Sequence, residues 1–269
     1  MSESRQSRQS FLGPQSGSII TAARVAVLGL GGGGSHIVQQ LAHVGFKTYL
    51  LCDPDIVEDT NLNRLIGATV VDAQNGVRKV DVAARQVCSL VPGAQVELNF
   101  ARWETVTASL READVIFGCL DGYALRRDLE AFTRRFLIPL IDIGLDVHLG
   151  TSRVPQMSGQ VILSMPGGPC MRCMNFLNDI VLANEAAKYG EAGVRPQVVW
   201  GNGVLASTAV GVAVDLLTGW ARTPCVPVYL EYDGNSGTLN PSVRLQYLPP
   251  GGCSHYPSDQ VGSPQFKVL

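Results

Sequence analysis

The chain has almost no net charge: 21 Lys and Arg stand against 23 Asp and Glu, leaving −2 over 269 residues. That balance offers no electrostatic case for a nucleic acid or an anionic membrane surface as partner. There is no apolar core at the N-terminus, where Met1-Ser-Glu-Ser-Arg-Gln-Ser-Arg-Gln-Ser is polar, so no secretion signal is expected. No run is long enough to read as a membrane span. The most apolar stretch, Gly203 to Trp220, is short and carries Asp215, which favours a buried helix. Internal repeats are absent. An even set of cysteines is also lacking, and seven thiols without a signal segment read as reduced, some of them binding metal. These absences together predict a cytoplasmic protein with neither nucleic acid nor membrane as partner.

A hydrophobic fraction of 46% is enough for a sizeable core. The length fits one large domain or a domain with small appendages. Residues 1–20, rich in Ser, Gln and Gly, read as a flexible N-terminal arm, and 21–269 as a single domain. Short apolar strands are expected at 25–29, 48–52, 96–100, 113–119 and 137–143. Helices at 35–44, 77–91 and 124–136 fall between them, and in the last the stripe Leu125, Leu129, Phe132, Phe136 reads as core. This alternation predicts an α/β fold with a doubly wound, mostly parallel sheet. After residue 150 the pattern changes to a strand at 160–164, a helix at 203–218 and alternating strands at 228–232 and 243–247. A smaller antiparallel C-terminal layer follows, with a mobile loop over 175–197.

The first strand stops at Gly29 and a glycine turn follows, Gly29-Leu-Gly31-Gly32-Gly33-Gly34, before Ile37, Val38, Leu41 and Val44 recur at helical spacing. Strand, glycine turn and helix N-terminus aim backbone N–H groups at a phosphate. The plainer reading is a tight strand–helix corner. Asp53 ends the second strand, where a ribose hydroxyl is held in dinucleotide enzymes. An NAD(P)-dependent oxidoreductase would share these features, but it has no use for the residues that follow. Asn61, Arg64 and Lys79 can donate to phosphate oxygens, and Asp121, ending a later strand, can hold magnesium. Alone, such an aspartate is as well explained as a helix cap.

Cys170-Met-Arg-Cys173, after Pro166-Gly-Gly-Pro169, has the spacing of a zinc half-site. Cys253 and His255 can close it as Cys3His. Alternatively His255 is an exposed tail residue, and water or another group completes the site. With four protein ligands the metal's role is structural. His36 opens the helix beside the glycine turn, where phosphate contact and plain helix position are both open. His43 reads as a surface or satisfied residue, and His148 has no identifiable partner. Cys52, Cys88 and Cys119 read as inert core thiols.

The ordered series Gly29-Leu-Gly-Gly-Gly-Gly-Ser35, Asp53-Pro-Asp55, Thr60-Asn-Leu-Asn-Arg64, Arg78-Lys79-Val-Asp81 and Cys119-Leu-Asp121 resembles the ThiF/MoeB/HesA family of adenylating enzymes. Ser158-Gly-Gln-Val161, Cys170-Met-Arg-Cys173 and Asp215-Leu-Leu-Thr-Gly219 extend the likeness over roughly residues 5 to 255. The resemblance implies that Gly29, Gly31, Gly32, Gly34, Asp53 and Asp55 bind ATP, with Asn61, Arg64 and Lys79 on its phosphates and Asp121 on magnesium. It also implies a homodimer in which Arg8 reaches the partner's site; the plain alternative is that Arg5 and Arg8 only solubilise a tail. The implied reaction is adenylation of the C-terminal glycine of a ubiquitin-like or sulfur-carrier protein. A small molecule, RNA or a short peptide is an alternative acceptor. The family commonly has Asn where this chain has Gly122, which removes one side-chain contact to ATP. Relatives that form a thioester carry a cysteine beyond the CxxC pair, yet Met174 to Trp200 contains none. Cys225, between two prolines, reads as structural. The acyl adenylate is therefore expected to pass to an external sulfur donor or conjugating partner.

Overall fold

The structure, a computed structural model, describes residues 7–149, 154–187, 196–221, 227–250 and 253–257. A 3-10 turn, Ser7–Leu12, leads into α1 (Ser16–Ala22). The nucleotide-type half follows as β1 (Arg24–Leu28), α2 (Gly32–Val44), β2 (Thr48–Cys52), α3 (Val70–Gln74) and α4 (Lys79–Leu90). It continues through β3 (Gln95–Asn99), α5 (Thr107–Leu110), β4 (Val115–Gly118) and α6 (Tyr123–Arg135). The remainder is β5 (Leu140–Leu149), β6 (Pro155–Ser164), α7 (Asp179–Ala187), α8 (Val199–Thr218), β7 (Val228–Asp233) and β8 (Thr238–Pro241).

All eight strands form one sheet in the order β3-β2-β1-β4-β5-β6-β7-β8. From β3 to β5 the pairing is parallel, and from β5 onward it is antiparallel. β1 and β4 are buried almost throughout, because helices cover both faces; hence their continuous apolar runs. Side chains alternate between two cores. Val25 and Val27 join Ile37, Leu41, Leu205 and Ala209 on one face, while Ala26 and Leu28 join Leu129, Met171 and Met174 on the other. Each fully buried aliphatic side chain of this kind contributes about 1.5–3 kcal/mol. α2 stops where Gly45 takes φ +113°, a conformation that costs glycine little. The chain crosses over between β1 and β4, which opens a crevice beyond Leu28, Cys52 and Gly118, aligned in register.

Several expectations change. Residues 7–20 do not form a free arm: Leu12 and Ile20 are buried, and Phe11 meets Trp220 edge-on with ring centroids 5.5 Å apart. The strand expected at 243–247 is instead a 3-10 turn, Val243–Tyr247, started by the Ser242 hydroxyl accepting from Arg244 N–H. Val243, Leu245 and Tyr247 alternate as in a strand, but Val243 and Tyr247 face solvent. The edge strand on this side of the sheet is β8, paired to β7. β5 and β6 run ten residues each, longer than expected, and the antiparallel strands extend the main sheet. The loop expected over 175–197 contains α7. α8 is long and apolar enough to cross a membrane, yet it packs on α2, β5 and β6.

Candidate functional site

The crevice is shaped first by backbone. Gly29 has φ +87°, and a Cβ there would overlap the Cys119 carbonyl. A Cβ on Gly34 would overlap the Gly29 carbonyl, so the turn closes only without side chains. The turn is tied to β2 through Asp53, whose Oδ2 accepts Leu30 N–H at 2.6 Å while Oδ1 accepts Asp55 N–H at 2.8 Å. Burial pushes the Asp53 carboxyl up, and Lys79 and these N–H groups oppose that shift. Lys79, first residue of α4, puts Nζ 2.8 Å from Asp55 and 3.9 Å from Asp53. Asp53, Asp55, Lys79 and the glycine turn therefore form one cluster.

Asn61 and Arg64 lie on the turn that follows. Asn61 is buried and its Oδ1 accepts Glu58 N–H at 3.1 Å, pairing with Glu58 as a capping box. Arg64 donates from Nη1 to the Thr60 carbonyl at 2.7 Å and to Asn63 Oδ1 at 3.0 Å. Asn63 in turn donates to the Gln197 carbonyl at 3.2 Å. Asp121 is exposed beyond β4, whose end is pinned to β1 by Cys119 N–H donating to Leu28 at 2.8 Å. Gly31 faces open space. Arg8 is exposed on the 3-10 turn.

Some residues of the crevice were not signalled by any motif. Asn202 of α8 fills the room left by Gly32, where a Cβ would overlap its amide and come within 3.2 Å of Gln197 Oε1. Behind the crevice, Arg126 of α6 pairs with fully buried Asp142 of β5 and donates to the Ile143 carbonyl at 3.1 Å. Burial pushes the Asp142 carboxyl up to about 6 against the pull of Arg126, and among the described residues its Oδ2 has no hydrogen-bond partner. A polar residue within an apolar helix and a carboxylate within an apolar strand were the only sequence signals available.

The second site is closed. Ligand atoms of Cys170, Cys173, Cys253 and His255 all lie within 4.8 Å of one another. The Cys170 and Cys173 sulfurs are 3.6 Å apart, near the roughly 3.8 Å edge of a tetrahedron with zinc–sulfur bonds. His255 Nδ1 lies 3.5 and 3.4 Å from them, within reach of an ion that the thiols could share. Three thiols and an imidazole suit zinc. α6 braces the cluster from behind. Its buried Glu130 accepts Met171 N–H at 2.8 Å, Ser164 Oγ at 2.5 Å and Tyr256 Oη at 3.3 Å. Arg134 donates to the carbonyls of Gly168 and Pro169 at 2.8 and 2.7 Å.

Other expectations resolve simply. His148 has a partner, Asp146 at 3.3 Å. His36 packs against Gly203 with Nε2 buried and, among the described residues, unpartnered, and burial lowers its pKa. His43 lies in the last turn of α2. Cys52 is buried, its thiol donating to the Ala101 carbonyl at 3.1 Å. Cys119 is enclosed and its thiol pKa raised by burial, whereas Cys88 is exposed and is not a core residue. Arg5 and Cys225 lie outside the described residues.

With fold and site in view, the chain belongs to the ThiF family, which it matches over residues 3–254. It is 32% identical to the SAMP-activating enzyme E1 of Haloferax volcanii over 165 residues, 61% of this chain and 57% of that protein. It is 28% identical to the molybdopterin-synthase adenylyltransferase of Escherichia coli, across 78% of this chain and 79% of that one. The sulfur carrier protein ThiS adenylyltransferase of E. coli is 29% identical, with 80% and 79% covered. The chain thus spans little more than half of the first of these relatives. E. coli MccB, solved with AMPCPP and MccA, shares the fold at TM-score 0.75 and 18% identity, with 94% of this chain and 74% of that one covered.

Proposed function

We propose that the protein adenylates a C-terminal carboxylate at the expense of ATP. The observation that carries this reading is the cluster at the strand ends. The Asp53 carboxylate holds the glycine turn through Leu30 N–H, and Lys79 stands 3.9 Å away. ATP would bind with its ribose on Asp53 and its phosphates between the glycine turn, Asn61, Arg64 and Lys79. Asp121 is the carboxylate suited to hold magnesium, which would offset charge on the phosphates. A carboxylate oxygen attacks the α-phosphorus, the bond to the bridging β-oxygen breaks, and pyrophosphate leaves. Arg64 and Lys79 stabilise the charge that builds up on those oxygens. The substrate is the C-terminal glycine of a ubiquitin-like or sulfur-carrier protein, the class named in the relatives. The cysteine cluster holds zinc in a structural role.

Arg8 acts on the partner's site in a homodimer. A dimer is supported by α8, whose Trp200 and Val204 face solvent at 61% and 38% exposure. The acyl adenylate passes to an external sulfur donor or conjugating enzyme in the cytoplasm. The test is ATP–pyrophosphate exchange with a small protein ending in Gly-Gly. Asp121→Ala should lower exchange by on the order of 10²–10³-fold, with Lys79→Ala weakening magnesium–ATP binding in calorimetry. Tight NADH binding without ATP binding would overturn the reading.

A further inference from the structure

α7 is fastened to the body at its two ends. None of its nine residues is buried, and Ile180 is 72% exposed. At the first residue, Asp179 accepts from Arg172 at 3.0 Å. At the seventh, Glu185 makes a two-pronged contact: Oε1 accepts Tyr123 N–H and Oε2 accepts Ala124 N–H, both at 2.8 Å. These are the first N–H groups of α6, which have no carbonyl partner within their own helix. The N-cap is Gly122, which has no side chain to offer, and a Cβ there would come 3.3 Å from Glu185 Oε1. The preceding residue is Asp121. A carboxylate from another helix therefore occupies the crevice side of α6, in room that a side chain at 122 would narrow. Its negative charge meets the positive end of the helix, where it is favoured.

We propose that α7 is a detachable lid on the first turn of α6, beside Asp121, and that Glu185 is its latch. The inference rests on the adenylation reading only for what the lid admits. Closed, α7 covers the first turn of α6 through Glu185. Released, it frees two backbone donors beside Asp121, which is already exposed. Because α7 buries no residue, breaking the Glu185 contact frees its C-terminal end without disturbing either core, while the exposed Arg172–Asp179 pair still tethers its first turn. Gly122 and Glu185 are one device: the glycine leaves room for a latch from outside the helix.

Hydrogen exchange and limited proteolysis on the full chain test the latch without any nucleotide. In Glu185→Ala, exchange at Tyr123 and Ala124 and cleavage within 175–187 should both quicken about tenfold or more. Glu185→Gln keeps the reach and one acceptor but loses the charge, and should fall between. Exchange deeper in α6, at Leu129 and Glu130, should not move. Unchanged exchange at Tyr123 and Ala124 in Glu185→Ala overturns the latch, and so does loosening that spreads along all of α6. Failure of ATP–pyrophosphate exchange in a protein whose latch behaves as described would overturn the adenylation reading instead.

Discussion

The cysteine–histidine cluster and the crevice at the strand ends differ in how far their side chains are set in advance. At the cluster the donor atoms already converge, and Glu130 and Arg134 bond the backbone on the approach to Cys170 and just after it. At the crevice only the backbone is set in advance. Its charged side chains are engaged with near neighbours: Lys79 with Asp55, Arg64 with Thr60 and Asn63, Glu185 with the start of α6. A structural ion needs an assembled cage. A substrate that must arrive, react and leave is better served by groups that exchange partners. The difference separates two kinds of variant: those at the cluster should affect integrity, and those at the crevice should affect turnover.

Arg126 tests that division most severely, because it belongs to the crevice yet is buried. Arg126→Ala leaves the Asp142 carboxylate alone in the core, and about 3–5 kcal/mol of stability should be lost, measured by urea unfolding. A loss below 1 kcal/mol would mean that the ion pair is not a structural element. Glu130→Gln should cost less, about 1–3 kcal/mol, by weakening the bonds to Met171 and Tyr256. Zinc should then escape faster to a chelator while ATP affinity holds. Equal damage to metal retention and ATP affinity would erase the contrast between the sites. The gentlest test mixes subunits. Arg8→Ala and Arg64→Ala proteins, each inactive, should regain about a quarter of wild-type exchange when subunits randomise, since half the dimers are mixed and each has one intact site. No recovery after demonstrated subunit exchange would exclude an arm acting in trans.

Most of the parallel half of the fold was legible because β1, β2 and β4 are buried on both faces and therefore write themselves as unbroken apolar runs, whereas β3, Gln95-Val-Glu-Leu-Asn99, is a largely exposed edge. The glycine turn, Asp53 and Asp121 could be placed from sequence because they follow the ends of β1, β2 and β4, whereas Lys79 opens α4. What escaped has a common origin in distance along the chain. Glu185 meets Tyr123 across 62 residues and Arg126 meets Asp142 across 16, and neither spacing is a local pattern. That His255 lies beside Cys170 and Cys173 could not be read from its one-residue spacing to Cys253, because the tail's path depends on contacts such as Tyr256 with Glu130. At 243–247 the alternation was real, but with Val243 and Tyr247 in solvent there was no second face to bury against. The segment 7–20 looked like a tail because only Leu12 and Ile20 among its larger apolar residues find the core.

The end of the sheet bears on solubility. An open sheet leaves unpaired backbone along its last strand, and a long apolar one recruits strands from other molecules. Here the last strand is β8, only four residues, Thr238-Leu-Asn-Pro241. Its proline contributes no N–H to a passing strand, and the chain then turns away into Val243–Tyr247. This rim is thus too short and too interrupted to seed association edge to edge, and the opposite rim, β3, carries the charge of Glu97 at its centre.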